Sequence, residues 1–129
     1  MATFLGRLRV IRLEDRYGWA LLQPLIYRSD LDGVGELVVP SGFVTDFESA
    51  PRWLPLAFTL AYDRATAAAV LHDWLYRTRP VVGLPPHTIT RREADALFRE
   101  AMAASRVARW RRGLLWAAVR VGGWAAWRR

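Results

Sequence analysis

Residues 90–93, Thr-Arg-Arg-Glu, constrain this chain more than any other short stretch. A threonine hydroxyl can accept from the amide three positions on, while the glutamate reaches back to the threonine amide. Two donors left open by a helix start are then satisfied together. The pattern predicts a helix over 91–105, whose apolar positions Ala94, Leu97, Phe98, Ala101 and Met102 keep helical spacing. Upstream, Asp63 reads as the N-cap of a helix over 64–77, in which Ala65, Ala67, Ala68 and Ala69 are strong helix formers. Their small side chains also let another element come close. A Pro/Gly loop, 79–86, joins the two helices. Helices joined by so short a connection are expected to pack antiparallel.

The first 45 residues read as strands. An alternating segment holds Leu5, Arg7, Arg9 and Ile11. An apolar and aromatic stretch runs from 19 to 27, and Asp30-Leu31-Asp32-Gly33 marks a turn before a strand at 36–39. Residues 43–55 show no period and hold two prolines, so they are expected to form an ordered loop. A last helical stretch, 107–127, is weakened by Gly113 and by Gly122-Gly123. The expected class is α+β: a small N-terminal antiparallel sheet followed by two or three helices. At 129 residues this is one domain. Its parts are a strand and loop portion over 1–59, a helical pair over 60–105 and a basic helix over 106–129.

Chemistry is expected where the two predicted helices meet. His72 and Asp73 stand next to each other on the first, with Tyr76 one turn later. On the second, Asp95 shares a side with Phe98 and Met102, which makes it a carboxylate bordering an apolar stripe. A carboxylate there needs a partner. Antiparallel packing offers His72, one of only two histidines in the chain. A His–Asp hydrogen bond would fix the imidazole tautomer and raise its basicity, as a general base requires. Asp73 then points about 100° away around the helix, where it could hold a hard cation such as Ca²⁺ through oxygen. Asp46, Glu48 and Ser49 in the loop could add oxygen ligands. The Tyr76 hydroxyl could orient one of the carboxylates, and Arg52 could anchor the loop through Asp46 or Asp73. Blander readings stay open. His72 could be a satisfied helix residue beside a surface Asp73, and Asp95 could merely pair with an arginine. Asp46 and Ser49 could be turn formers. His87, flanked by prolines, is expected at the surface.

The segment Ala69-Val70-Leu71-His72-Asp73-Trp74-Leu75-Tyr76-Arg77 resembles the His-Asp-x-x-Tyr helix of phospholipase A2 enzymes, and the segment from Asp95 to Met102 is similar to their second helix. The resemblance implies that His72 activates water, Asp73 binds Ca²⁺ and Asp95 orients His72. Asp46-Phe47-Glu48-Ser49 is loosely similar to the bacterial Ca²⁺ loop but lacks its glycine. A second resemblance covers more of the chain. Val39-Pro40-Ser41-Gly42-Phe43-Val44-Thr45-Asp46-Phe47-Glu48-Ser49-Ala50-Pro51-Arg52, followed by the His-Asp-x-x-Tyr helix and by Ala94-Asp95, resembles a family of small uncharacterised proteins of tailed bacteriophages and prophages. It implies a phage or prophage origin near tail and lysis functions, and the expected location is the virion tail after synthesis in the host cytoplasm. Its neighbours there would be other tail proteins. Two roles follow as expectations: a His–Asp hydrolase of lipid or cell-wall bonds acting at the host envelope, or a non-enzymatic structural protein of the tail tip or baseplate.

Charge narrows the partners. All 19 basic residues are arginine, and the net charge is +7, which favours anionic lipid, an acidic polymer or an acidic protein surface. Nothing after Glu100 is acidic, yet that segment holds seven arginines and four of the seven tryptophans. Trp116, Val119, Gly123 and Trp127 lie near helical spacing, so this tail could pack on the core. It could also lie on an anionic membrane or form an assembly interface. Nucleic acid fits the charge, but no recognition module is present. There is no cysteine, hence no disulfide framework or thiolate metal site. No run is apolar enough to span a membrane. The N-terminal residues lack a signal-peptide pattern because charges interrupt any apolar region.

Overall fold

The computed structural model describes residues 1–15, 18–45 and 65–128. Its N-terminal part folds as two small antiparallel sheets. Strands β1 (Thr3–Leu5), β4 (Leu25–Arg28) and β5 (Glu36–Val39) form the first, in the order β1-β4-β5. Strands β2 (Val10–Arg12), β3 (Trp19–Leu21) and β6 (Val44–Thr45) form the second, in the order β2-β3-β6. The apolar stretch 19–27 is thus divided between the sheets. Pro24 lies between β3 and β4, where the ring removes a ladder donor.

In the first sheet Leu25 faces Val39 and Tyr27 faces Leu37 across β4 and β5. All four are buried, while Arg28, Glu36 and Val38 on the other side are exposed. This alternation is that of a sheet covered on one face only. The cover is helical. Helix α1 (Thr66–Thr78) and helix α2 (Arg91–Ala104) pack together, and helix α3 (Arg109–Gly122) packs on α2. One hydrophobic core runs through Leu71 and Leu75 of α1, Leu97, Phe98 and Met102 of α2, and the inner face of the first sheet. A short helix, α4 (Trp124–Trp127), follows α3.

Local chemistry explains the boundaries. The capping box forms: the Glu93 amide donates to Thr90 Oγ1 over 3.1 Å, and the Thr90 amide donates to Glu93 Oε1 over 3.0 Å. Helix α1 starts at Thr66 with Ala65 at its N-cap and no side-chain cap; the expected cap Asp63 lies outside the described residues. It ends at Arg79, which takes a left-handed conformation at φ 44°. Glycine usually fills that position. The Arg79 guanidinium lies over the Trp127 ring, 4.5 Å from its centroid, joining the end of α1 to α4. The helical tail is interrupted at Gly123, and Gly113 is carried inside α3.

The loop 79–86 holds more order than its Pro/Gly content predicts. Strands β7 (Val81–Val82) and β8 (His87–Thr88) pair as a small antiparallel ladder. Gly83 between them has φ +81°, and a Cβ there would overlap the Gly33 carbonyl oxygen. Only a glycine lets this turn lie on the turn before β5. Glu100 of α2 secures the sheet from the other side. It accepts from Tyr27 Oη at 2.6 Å and Ser29 Oγ at 2.8 Å. Burial, and after it this hydrogen bond, pushes the Tyr27 hydroxyl far above its ordinary range, so it stays a donor.

Candidate active site

Asp95 is the centre of the site. The apolar spacing that buries Leu97, Phe98 and Met102 also turns Asp95 inward, and its side chain is 0% exposed. An isolated carboxylate in that setting would be strongly disfavoured. Four neighbours meet it. His72 Nε2 lies 2.8 Å from Oδ1, and Tyr76 Oη donates to the same oxygen. Arg120 Nη1 donates to Oδ2 over 2.7 Å, with Arg91 Nε 3.8 Å from that oxygen. Burial by itself would raise the Asp95 carboxyl. The hydrogen bonds from His72 and Tyr76, then that from Arg120, outweigh it and hold Asp95 below the usual carboxylate range. Asp95 is therefore an anion that only accepts.

That fixes the imidazole. Because Asp95 cannot donate, Nε2 must carry the proton in the His72–Asp95 contact. In the neutral ring Nδ1 is then the basic nitrogen, and it has no hydrogen-bond partner among the described residues. The ring plane is held as well. His72 lies between Tyr76, with centroids 4.3 Å apart, and Phe98, 4.6 Å away. Tyr76 stands one turn after His72 on α1, so both reach the same carboxylate oxygen. Its hydroxyl accepts from Arg91 Nε at 3.2 Å while donating to Asp95. Burial, and then Asp95, pushes the Tyr76 hydroxyl well above its ordinary value. It is thus a fixed donor that supports Asp95.

The helical tail closes the far side. Arg91 Nη2 donates to the Val119 carbonyl over 2.8 Å and also to that of Arg120. Gly123 lies against Tyr76: a Cβ there would sit 2.7 Å from Tyr76 Oη. The Trp127 ring meets Tyr76 edge-on, with centroids 5.1 Å apart. Val119 and Trp127 pack on the core as the spacing suggested. Trp116 is half-buried under the Arg99 guanidinium.

Asp73 faces elsewhere, as its position in the helix requires. Its Oδ2 accepts from Thr45 Oγ1 over 2.8 Å, and its Oδ1 lies 3.0 Å from Arg77 Nε. Arg77 Nη1 in turn donates to the Val44 carbonyl. Asp73 therefore ties β6 to α1. The Arg77 guanidinium thus occupies the Oδ1 side of Asp73. Among the described residues no three His, Asp or Glu side chains gather as metal ligands. Asp46, Glu48, Ser49 and Arg52 lie outside the described residues.

Sequence reasoning brought His72, Tyr76 and Asp95 together and offered an arginine as a partner of Asp95, but it named neither Arg91 nor Arg120. Arg91 carried a signal, since it stands four residues before Asp95 on one helix. Arg120 carried a weaker one: it lies within the run of Trp116, Val119 and Gly123, where a cation facing inward needs an acid. His87 was also incompletely read. Its Nε2 lies 2.8 Å from Glu93 Oε2, so the capping glutamate also anchors the β7–β8 turn.

Comparison with known proteins assigns the chain to a family. No curated protein and no solved structure matches the chain. A family model described as a protein of unknown function, DUF1353, matches residues 19–119. The span includes His72, Tyr76, Arg91 and Asp95 and stops one residue before Arg120. Because it covers well over half of the 129 residues, the chain belongs to the DUF1353 family.

Proposed function

We propose that this is a phage- or prophage-encoded, tail-associated protein acting at the host envelope, with His72 as general base for hydrolysis of an ester or amide bond in lipid or cell-wall polymer. The observation that carries the chemical part is the 2.8 Å contact between His72 Nε2 and the fully buried Asp95. With Nε2–H donated to a permanent carboxylate, Nδ1 takes a proton from water. The resulting hydroxide attacks the carbonyl carbon, and His72 returns the proton to the leaving oxygen or nitrogen. Asp95 stays ionised and orients the ring, while Tyr76 and Arg120 fix Asp95. The segment from Val39 to Arg52, with its likeness to phage proteins, supports the placement in a tail.

A second reading rests on a different observation. Arg120 of α3 donates to Asp95 Oδ2, and Arg91 of α2 donates to the Val119 and Arg120 carbonyls at the end of α3. The same cluster would serve a non-enzymatic tail-tip or baseplate protein as a three-helix clamp. His72→Ala separates the two. In an enzyme it lowers turnover of phospholipid vesicles or cell-wall fragments by about 10²- to 10⁴-fold and leaves the protein folded. Absence of turnover in the wild-type protein, with a marked loss of melting temperature in His72→Ala, would favour the clamp.

A further inference from the structure

The tail turns a second face outward that the core does not use. Trp110 is 73% exposed, Leu114 48%, Val121 70% and Trp124 53%. At helical spacing these four positions fall within about 80° of one another around the axis. Gly123 keeps right-handed helical dihedrals, at φ −74° and ψ −15°, so the stripe continues from α3 into α4. Its length is about 21 Å. Exposed apolar side chains scattered singly need no explanation, but a continuous stripe does.

We infer that this stripe docks in the plane of an anionic lipid bilayer. Exposed Arg109 stands at the start of α3 and exposed Arg128 at the end of α4. No acid follows Glu100, so nothing in the segment repels anionic headgroups, and basic residues beside an apolar face add attraction. The tryptophans lie at the two ends. Their apolar bodies and N–H tips suit the boundary between acyl chains and headgroups. Among the described residues no helix is long and apolar enough to cross a membrane, so the segment lies on the surface. Meanwhile a flank of α3, about 80° around the axis from the middle of the stripe, holds Arg120 on Asp95. Docking therefore leaves the candidate site tied to the lipid-facing helix. The inference rests on the envelope-facing reading above and names its partner surface.

The test is co-sedimentation of the full chain with phosphatidylcholine vesicles, with and without phosphatidylglycerol. The expected result is binding only to the phosphatidylglycerol-containing vesicles, weakened by salt. Trp110→Ser with Trp124→Ser should weaken it at least roughly tenfold, and so should Arg109→Glu with Arg128→Glu. Circular dichroism shows that each variant folds, and the charge-reversal pair decides the matter if the tryptophan pair does not fold. Equal binding to neutral vesicles, or unchanged binding by the charge-reversal pair, overturns the inference. So does absence of binding together with a concentration-dependent dimer that either pair abolishes, which would make a second copy the occupant. Partition is read here, not turnover, so failure of docking and failure of hydrolysis are separate results.

Discussion

Arg120 Nη1 donates to Asp95 Oδ2 across 2.7 Å, joining residues 25 positions apart. The other oxygen of Asp95 takes His72 and Tyr76. One buried anion is thus shared by three helices. Such an arrangement holds an imidazole rigidly, and it also holds the bundle together. The two consequences are separable because the partners of Asp95 differ in burial.

Asp95→Ala leaves His72, Tyr76 and Arg120 without their acceptor in a sealed position. Removing one member of a buried charged set costs about 3–5 kcal/mol. Arg120→Met removes a side chain that is 33% exposed, and Arg91 remains beside the carboxylate. Its expected cost is smaller, about 1–3 kcal/mol. Urea denaturation of both variants checks the order. Equal losses would mean that Arg120 holds the third helix by more than this ion pair.

The His72–Asp95 contact was legible because it needed only local rules. The capping box set where α2 begins, the apolar spacing turned Asp95 inward, and a short loop made the helices neighbours. Arg120 was not legible in the same way. It is one of 19 arginines, and its partner lies on the preceding helix, 25 residues upstream, where only tertiary packing selects it. The β7–β8 ladder escaped for another reason. Two-residue strands carry no periodicity, and their pairing depends on contact between Gly83 and Gly33 rather than on apolar pattern. The strand region was legible as strands but not as two sheets, since Pro24 breaks one apolar run into β3 and β4 without altering its composition.

Acid should weaken the fold through Asp95. Its folded pKa is depressed below the ordinary 3.8, because hydrogen bonds outweigh burial. A depressed carboxylate contributes stability that is present above the unfolded value and lost as pH falls through the folded one. The contribution is therefore complete above about pH 4 and disappears below it. Urea midpoints measured downward from pH 6 should fall less steeply for Asp95→Asn than for the wild type below pH 4. Parallel curves would show that other carboxylates govern acid unfolding.

His87 should titrate above its ordinary 6.5, because Glu93, and after it the Pro85 carbonyl, favours the charged ring. The sign is opposite to that of Asp95. A raised histidine stabilises below its unfolded pKa and loses that contribution as pH rises through the folded value. Proton NMR of the ring should show the raised midpoint, and Glu93→Gln should bring it down. An unchanged midpoint in Glu93→Gln would remove Glu93 as the cause.

Gly123→Ala tests whether the tail sets the site. At φ −74° the backbone accepts alanine without conformational penalty, and alanine is the better helix former. Propensity alone thus predicts a slight gain. Packing predicts the reverse, because the new methyl would lie 2.7 Å from Tyr76 Oη and 2.4 Å from the Val119 carbonyl oxygen. Tyr76 cannot yield freely, since its hydroxyl donates to Asp95 and accepts from Arg91. Either the tyrosine leaves Asp95 or the end of α3 moves away, carrying Trp127 from its place against Tyr76. The expected loss is about 1–3 kcal/mol, the usual cost of overpacking a filled site. Adding Tyr76→Phe should recover part of it by removing the oxygen that the methyl meets, so the two changes should be non-additive in a double-mutant cycle. Additive losses would show that the Val119 carbonyl, and not Tyr76, is what requires glycine.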